Sequence, residues 1–103
     1  MQQLTFIEPG RLEWIEVPAP QVDADEAATV RPLAVTTCDL DGLILRGRVP
    51  LPGPFALGHE FVAEVLDVGT GVSTVRPGDR AVVPFQISCG RCVRGRKGLA
   101  SSC

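Results

Sequence analysis

The stretch Gly58-His59-Glu60-Phe61-Val62-Ala63-Glu64-Val65-Leu66-Asp67-Val68-Gly69-Thr70-Gly71 decides the fold. From Phe61 to Val68 only Glu64 and Asp67 interrupt an apolar, valine-rich run, which predicts a largely buried strand. Gly69-Thr70-Gly71 then reads as a hairpin turn, because the glycine spacing, helix and acidic residue of a dinucleotide-binding fingerprint do not follow it. Toward the C-terminus, Pro77-Gly78-Asp79-Arg80 predicts a second tight turn and Ala81 to Ile87 another strand, with Pro84 pointing to a barrel edge or bulge. Toward the N-terminus, Ala28 to Val35 reads as a strand. Leu4 to Glu8 and Leu12 to Val17, parted by Pro9-Gly10, read as a β-hairpin with Trp14 in the core. Thr36 and Thr37 are the expected N-caps of one short helix from about Asp39 to Leu45, stopped by Arg46-Gly47. Pro50, Pro52 and Pro54, with Gly53 and Gly58 among them, predict an irregular loop that brings His59 back. The pattern is that of a mainly β, turn-rich chain.

With 103 residues, 45% of them hydrophobic, the chain is sized for one domain with a modest core. A net charge of -2 gives no electrostatic reason to expect nucleic acid or an anionic membrane as partner. Glu8, Arg11, Glu13 and Glu16 break up the N-terminal stretch, so neither a secretion signal nor a membrane span is read there, and a cytoplasmic location is the expectation. In that setting four cysteines are expected to bind metal or stay reduced rather than to pair. From Ser88 the composition turns to cysteine, glycine and basic residues without periodicity, and the sequence stops at Cys103 inside that segment, which reads as a truncation.

Cys38 and His59, the sole histidine, offer a soft thiolate and an imidazole at the ends of predicted strands. Zinc favours that mixture, and a catalytic site needs only three protein ligands so that a fourth position stays open. Glu60 reads either as an acid close to the metal, in a supporting or transient ligand role, or as a solvated carboxylate; adjacency in a strand would turn it away from His59. Asp41 either accepts a hydrogen bond from the free ring nitrogen of His59, fixing its tautomer, or merely decorates a helix N-terminus.

Cys89-Gly90-Arg91-Cys92 has the spacing that lets two thiolates approach one metal, and Cys103 adds a third sulfur. Gly95 stands where the next cysteine of a repeated spacing would fall. Three readings stay open: an incomplete zinc lobe, a disulfide between two of these thiols, and a zinc completed by water or by residues outside these. Arg91, Arg94, Arg96 and Lys97 make the segment basic, and cations beside thiolates lower their pKa.

Together these residues resemble the N-terminal part of the zinc-dependent medium-chain dehydrogenase/reductase family, alcohol dehydrogenase type. The resemblance rests on Cys38 and Asp41, on Gly58-His59-Glu60 with Gly69 and Val72, on Val75-Arg76-Pro77-Gly78-Asp79-Arg80-Ala81-Val82, and on Cys89, Cys92 and Cys103. It implies a GroES-like partly open β-barrel over residues 1–103, with a partial structural-zinc lobe at 88–103 and a Rossmann domain outside this segment. It further implies a parent enzyme that transfers hydride between an alcohol, polyol or aldehyde and NAD(P), as a homo-oligomer. Cys38 and His59 match two catalytic zinc ligands, Glu60 the glutamate beside the zinc, and Asp41 the acid behind the histidine; the remaining ligand normally comes from later in the sequence. Leu40 departs from the family where many members carry a proton-relaying serine or threonine, Ala63 replaces a glycine, and Gly95 replaces the third cysteine of the lobe. Residues 1–103 alone are expected to be inactive, having no dinucleotide-binding unit. The competing expectations are a zinc-free, quinone-reductase-like relative and a non-catalytic metal-binding or oligomerising β-barrel module.

Overall fold

The computed structural model describes residues 1–103 and places the strands in two three-stranded sheets. In chain order the elements are β1 (Gln2–Glu8), β2 (Arg11–Glu16), β3 (Ala28–Val35), α1 (Asp39–Leu45), β4 (Phe55–Ala56), β5 (Phe61–Val68), β6 (Arg80–Val83), α2 (Val93–Arg96) and a 3-10 turn (Ala100–Ser102). The first sheet runs β2-β1-β4 and the second β3-β5-β6, with every pairing antiparallel.

The second sheet positions the chemistry. Its register sets Val35 opposite Phe61 and Phe61 opposite Val83, so the segments leaving β3, entering β5 and leaving β6 meet at one end of the sheet. Cys38, His59 and Phe85 lie on those three segments. β5 can be central because every second side chain packs inward: Ala63 and Val65 are fully buried, whereas Val62 and Leu66 face out. The run is therefore buried on one face only, not on both. Pro32 is tolerated because β3 is an edge strand and its register slips between Pro32 and Ala34, so no ladder donor is missed. In the first sheet Phe6 is buried against Phe55, their ring centroids 5.0 Å apart.

Several expectations need correcting. Trp14 is 66% exposed rather than in the core, because β2 is the outer strand and no layer covers its face. The N-cap of α1 is Cys38, not Thr36 or Thr37. β6 ends at Val83 instead of reaching Ile87, since Pro84 has no N–H to continue the ladder. The loop that returns His59 contains the two-residue strand β4. The cysteine segment holds a second short helix, α2, where only one helix was expected in the chain. Gly69-Thr70-Gly71 turns the chain but does not join paired strands directly; instead the N–H of Gly69 donates to Ala27 O and that of Gly71 to Asp25 O, both at 2.8 Å. A Cβ on Gly69 would collide with the carbonyl oxygens of Ala24 and Asp25, so close backbone approach fixes this glycine.

The radius of gyration is 15.5 Å, above the ~13 Å typical of a closed domain this long. The sheets are correspondingly open, and only 7 of 103 residues are buried. No helix is long and apolar enough to cross a membrane.

Candidate metal centre

Cys38 leaves β3 in extended conformation and begins α1, where its N–H donates to Asp41 Oδ2 at 2.9 Å. That bond is one half of a capping box, with an aspartate in the place usually taken by glutamate or glutamine. It holds Asp41 in the first turn, 8% exposed, beside buried Ile44. His59 arrives from the opposite side on the segment before β5, after Gly58, whose φ of 117° favours glycine.

These elements bring Cys38 Sγ within 3.3 Å of His59 Nε2, and His59 Nδ1 within 3.4 Å of Asp41 Oδ1. Asp41 Oδ1 is buried without a satisfied hydrogen bond, so the ring nitrogen that faces it is the one that needs to carry the proton. Nε2 is then left with its lone pair directed toward the thiol. Zinc bonds of ~2.3 Å to sulfur and ~2.0 Å to nitrogen at a tetrahedral opening span ~3.5 Å, close to the separation observed. The donors of Cys38, Asp41 and His59 all lie within 4.8 Å of one another. A soft-to-borderline divalent ion fits that set, with Asp41 behind the imidazole rather than on the ion.

The pair opens onto a cavity of about 400 Å³ lined also by Leu40, Ile44, Phe55, Ala56, Leu57 and Phe85. Glu60 lines the same cavity; it precedes β5 instead of lying in it, so strand alternation does not turn it away from His59. Sequence reading missed the aromatic wall. Phe85 meets the His59 ring edge-on, centroids 6.0 Å apart, and its position one residue after a strand-ending proline was the only signal for it. No residue lining the cavity carries a hydroxyl, and Leu40 stands at its rim, 46% exposed.

The second cluster lies in the α2 lobe. Cys103 Sγ is 3.4 Å from Cys89 Sγ and 3.7 Å from Cys92 Sγ, and all the cysteines are free thiols, so the disulfide reading is set aside. The Cys89 thiol is lowered to about 7 by hydrogen bonds from the backbone N–H groups of Cys92 and Arg91 and from the neighbouring thiols. Cys103 also receives a backbone hydrogen bond, from Cys89, which lowers its pKa, but the adjoining Cys89 and Cys92 thiols outweigh it and leave Cys103 raised.

Comparison with known proteins places this arrangement. The alcohol dehydrogenase GroES-like domain matches residues 24–103. The glutathione-independent formaldehyde dehydrogenase of Pseudomonas aeruginosa is 33% identical over 95 residues, covering 86% of this chain and 24% of that protein. Zinc-type alcohol dehydrogenase B of Aspergillus flavus is 32% identical over 103 residues, covering 100% of this chain and 24% of that protein. Among solved structures, alcohol dehydrogenase TADH from Thermus sp. ATN1 superposes with a TM-score of 0.91 at 36% identity, covering 100% of this chain and 30% of that one. The chain thus spans about a quarter of the length of these curated relatives. With a matched domain over residues 24–103 and 86% or more of this chain aligned in each relative, the chain belongs to the alcohol dehydrogenase GroES-like domain family.

Proposed function

We propose that residues 1–103 form the N-terminal part of the catalytic domain of a zinc-containing, NAD(P)-dependent alcohol dehydrogenase-type oxidoreductase acting on a small alcohol, polyol or aldehyde. The observation that carries this reading is the 3.3 Å approach of Cys38 Sγ to His59 Nε2 at the mouth of an apolar cavity. Relatives named zinc-type alcohol dehydrogenase and formaldehyde dehydrogenase support it, as does a neighbour solved with NADH.

In this reading Cys38 and His59 hold the zinc and Asp41 keeps the imidazole in the tautomer that leaves Nε2 free. When bound, the metal supplies Lewis-acid polarisation of a carbonyl or hydroxyl oxygen. Leu40, Phe55, Leu57 and Phe85 give the space in front of it an apolar lining that favours a small, weakly polar substrate. Glu60 sets a carboxylate-bearing side chain beside the ligands, available to adjust charge at the metal. Because the cavity offers no hydroxyl, a proton leaving the substrate passes to water or to a group from elsewhere in the protein rather than to residue 40. A cytoplasmic setting and a homo-oligomeric assembly belong to the same proposal.

Cobalt(II) titration of the chain carrying Cys89→Ser and Cys92→Ser isolates this site. Weak binding with a sulfur-to-cobalt absorption band, lost on Cys38→Ser or His59→Ala, is the expected result. Binding that survives both replacements removes the assignment. In an intact enzyme that carries this domain, alcohol-dependent NAD(P) reduction should fall by a factor of at least ~100 in Cys38→Ser.

A further inference from the structure

The Cys89, Cys92 and Cys103 sulfurs converge within 4.8 Å, and no other thiol, imidazole or carboxylate joins the cluster. The chain from Ser88 to Cys103 contains no histidine, aspartate or glutamate that could do so. The sulfurs instead accept backbone N–H groups: Cys89 Sγ from Cys92 at 3.4 Å and also from Arg91, Cys92 Sγ from Gly95 at 3.1 Å, and Cys103 Sγ from Cys89 at 3.3 Å. Gly95, at the position where a fourth sulfur would come from, gives only this N–H. A Cβ there would lie 3.1 Å from the Gly90 main chain, so position 95 is packed against backbone. The three thiols are at the surface, two of them exposed and Cys92 partly so.

Three thiolates leave a divalent ion with a net charge of -1 and one vacant tetrahedral position. Arg91 is engaged by Glu26 at 3.5 Å, but Arg94, Arg96 and Lys97 have no acid within the segment and favour an additional anionic donor on this lobe. We propose that the lobe binds a divalent thiophilic ion through Cys89, Cys92 and Cys103 alone and takes its fourth ligand from solution as a small thiolate. On binding, one metal–sulfur bond forms, the thiol proton passes to solvent and the solvent molecule at that position leaves; no electrons move. The lobe is then an exchangeable site for metal and thiol rather than a sealed structural one. This stands independently of the Cys38 and His59 assignment.

The test uses the 103-residue chain with Cys38→Ser and His59→Ala, so that only the lobe binds, and cobalt(II) as the probe. The sulfur-to-cobalt absorption should rise by about a third on adding 2-mercaptoethanol, as three thiolates become four. Gly95→Cys should show the higher absorption without added thiol, ignore the addition, and release metal to a chelator at least ~10-fold more slowly. Gly95→Ala, which adds the same Cβ without sulfur, should keep the response to thiol. A chain with Gly95 that binds no cobalt through sulfur, or whose spectrum is indifferent to added thiol, overturns the proposal. That titration decides the matter even if the position 95 variants do not fold.

Discussion

Cys38 and His59 are held by the sheet, on segments that leave β3 and enter β5, with a buried aspartate behind them; Cys89, Cys92 and Cys103 are held chiefly by one another and by the backbone between them. The first region has a core residue, Ile44, under its helix, whereas α2 buries none of its side chains. Metal ligands on a packed scaffold keep their geometry when the ion leaves. Ligands on an unpacked lobe owe theirs to the ion, because metal binding and local folding are then one equilibrium.

The largest expected effect follows from that contrast. Chelating the metal should speed amide exchange across 93–103 by ~100-fold or more while β3 and β5 stay within ~3-fold, read by hydrogen-exchange mass spectrometry. Equal protection in both regions would erase the distinction.

Next in size, Asp41→Asn should weaken cobalt binding at Cys38 and His59 by ~10–100-fold and leave the three-thiol lobe unchanged. Asp41→Ala should additionally cost ~1 kcal/mol of stability in denaturant titration, because the Cys38 N–H loses its acceptor. A loss shared by both metal sites would mean that the scaffold supports the lobe as well.

Gly69→Ala probes the scaffold itself. The collision with Ala24 and Asp25 should cost ~1–3 kcal/mol in thermal unfolding, while cobalt affinity at Cys38 and His59, at the other end of the sheet, should stay within ~3-fold.

The smallest effect concerns acidity. In metal-free chain the Cys89 thiol should alkylate with a midpoint near pH 7, ahead of Cys103, followed by mass spectrometry of the labelled peptides. Its folded pKa lies below the ordinary 9.0, so the stabilisation it gives the lobe is complete above pH 9.0 and disappears as pH falls through about 7. Alkylation of Cys89 with an ordinary thiol midpoint would show that the backbone hydrogen bonds do not persist without metal.

Much of the scaffold could be read from residues 28–68, because local chemistry and tertiary context agree there. The apolar, valine-rich run fixed β5, the glycine after Arg46 stopped α1, and both sets of bounds match the structure. Where they disagree, reading failed. Trp14 is apolar, yet whether a sheet face is covered depends on a second layer that alternation does not report. Cysteine is not a customary N-cap, so the cap was read at two threonines although the helix start was right, and Asp41 three residues after Cys38 carried the reciprocal signal. Residue type alone singled out Cys38, Asp41 and His59, which the structure brings together; the wall of Phe55, Leu57 and Phe85 was not legible, since apolar loop residues announce no partner.

One carboxylate in this molecule has two obligations. Asp41 steadies the opening turn of a seven-residue helix with one oxygen and faces the imidazole with the other. Fraying of that turn therefore swings the histidine, and a histidine fixed on an ion damps the fraying. How long an ion resides at Cys38 and His59 and how long the first turn of α1 stays wound should share a single clock.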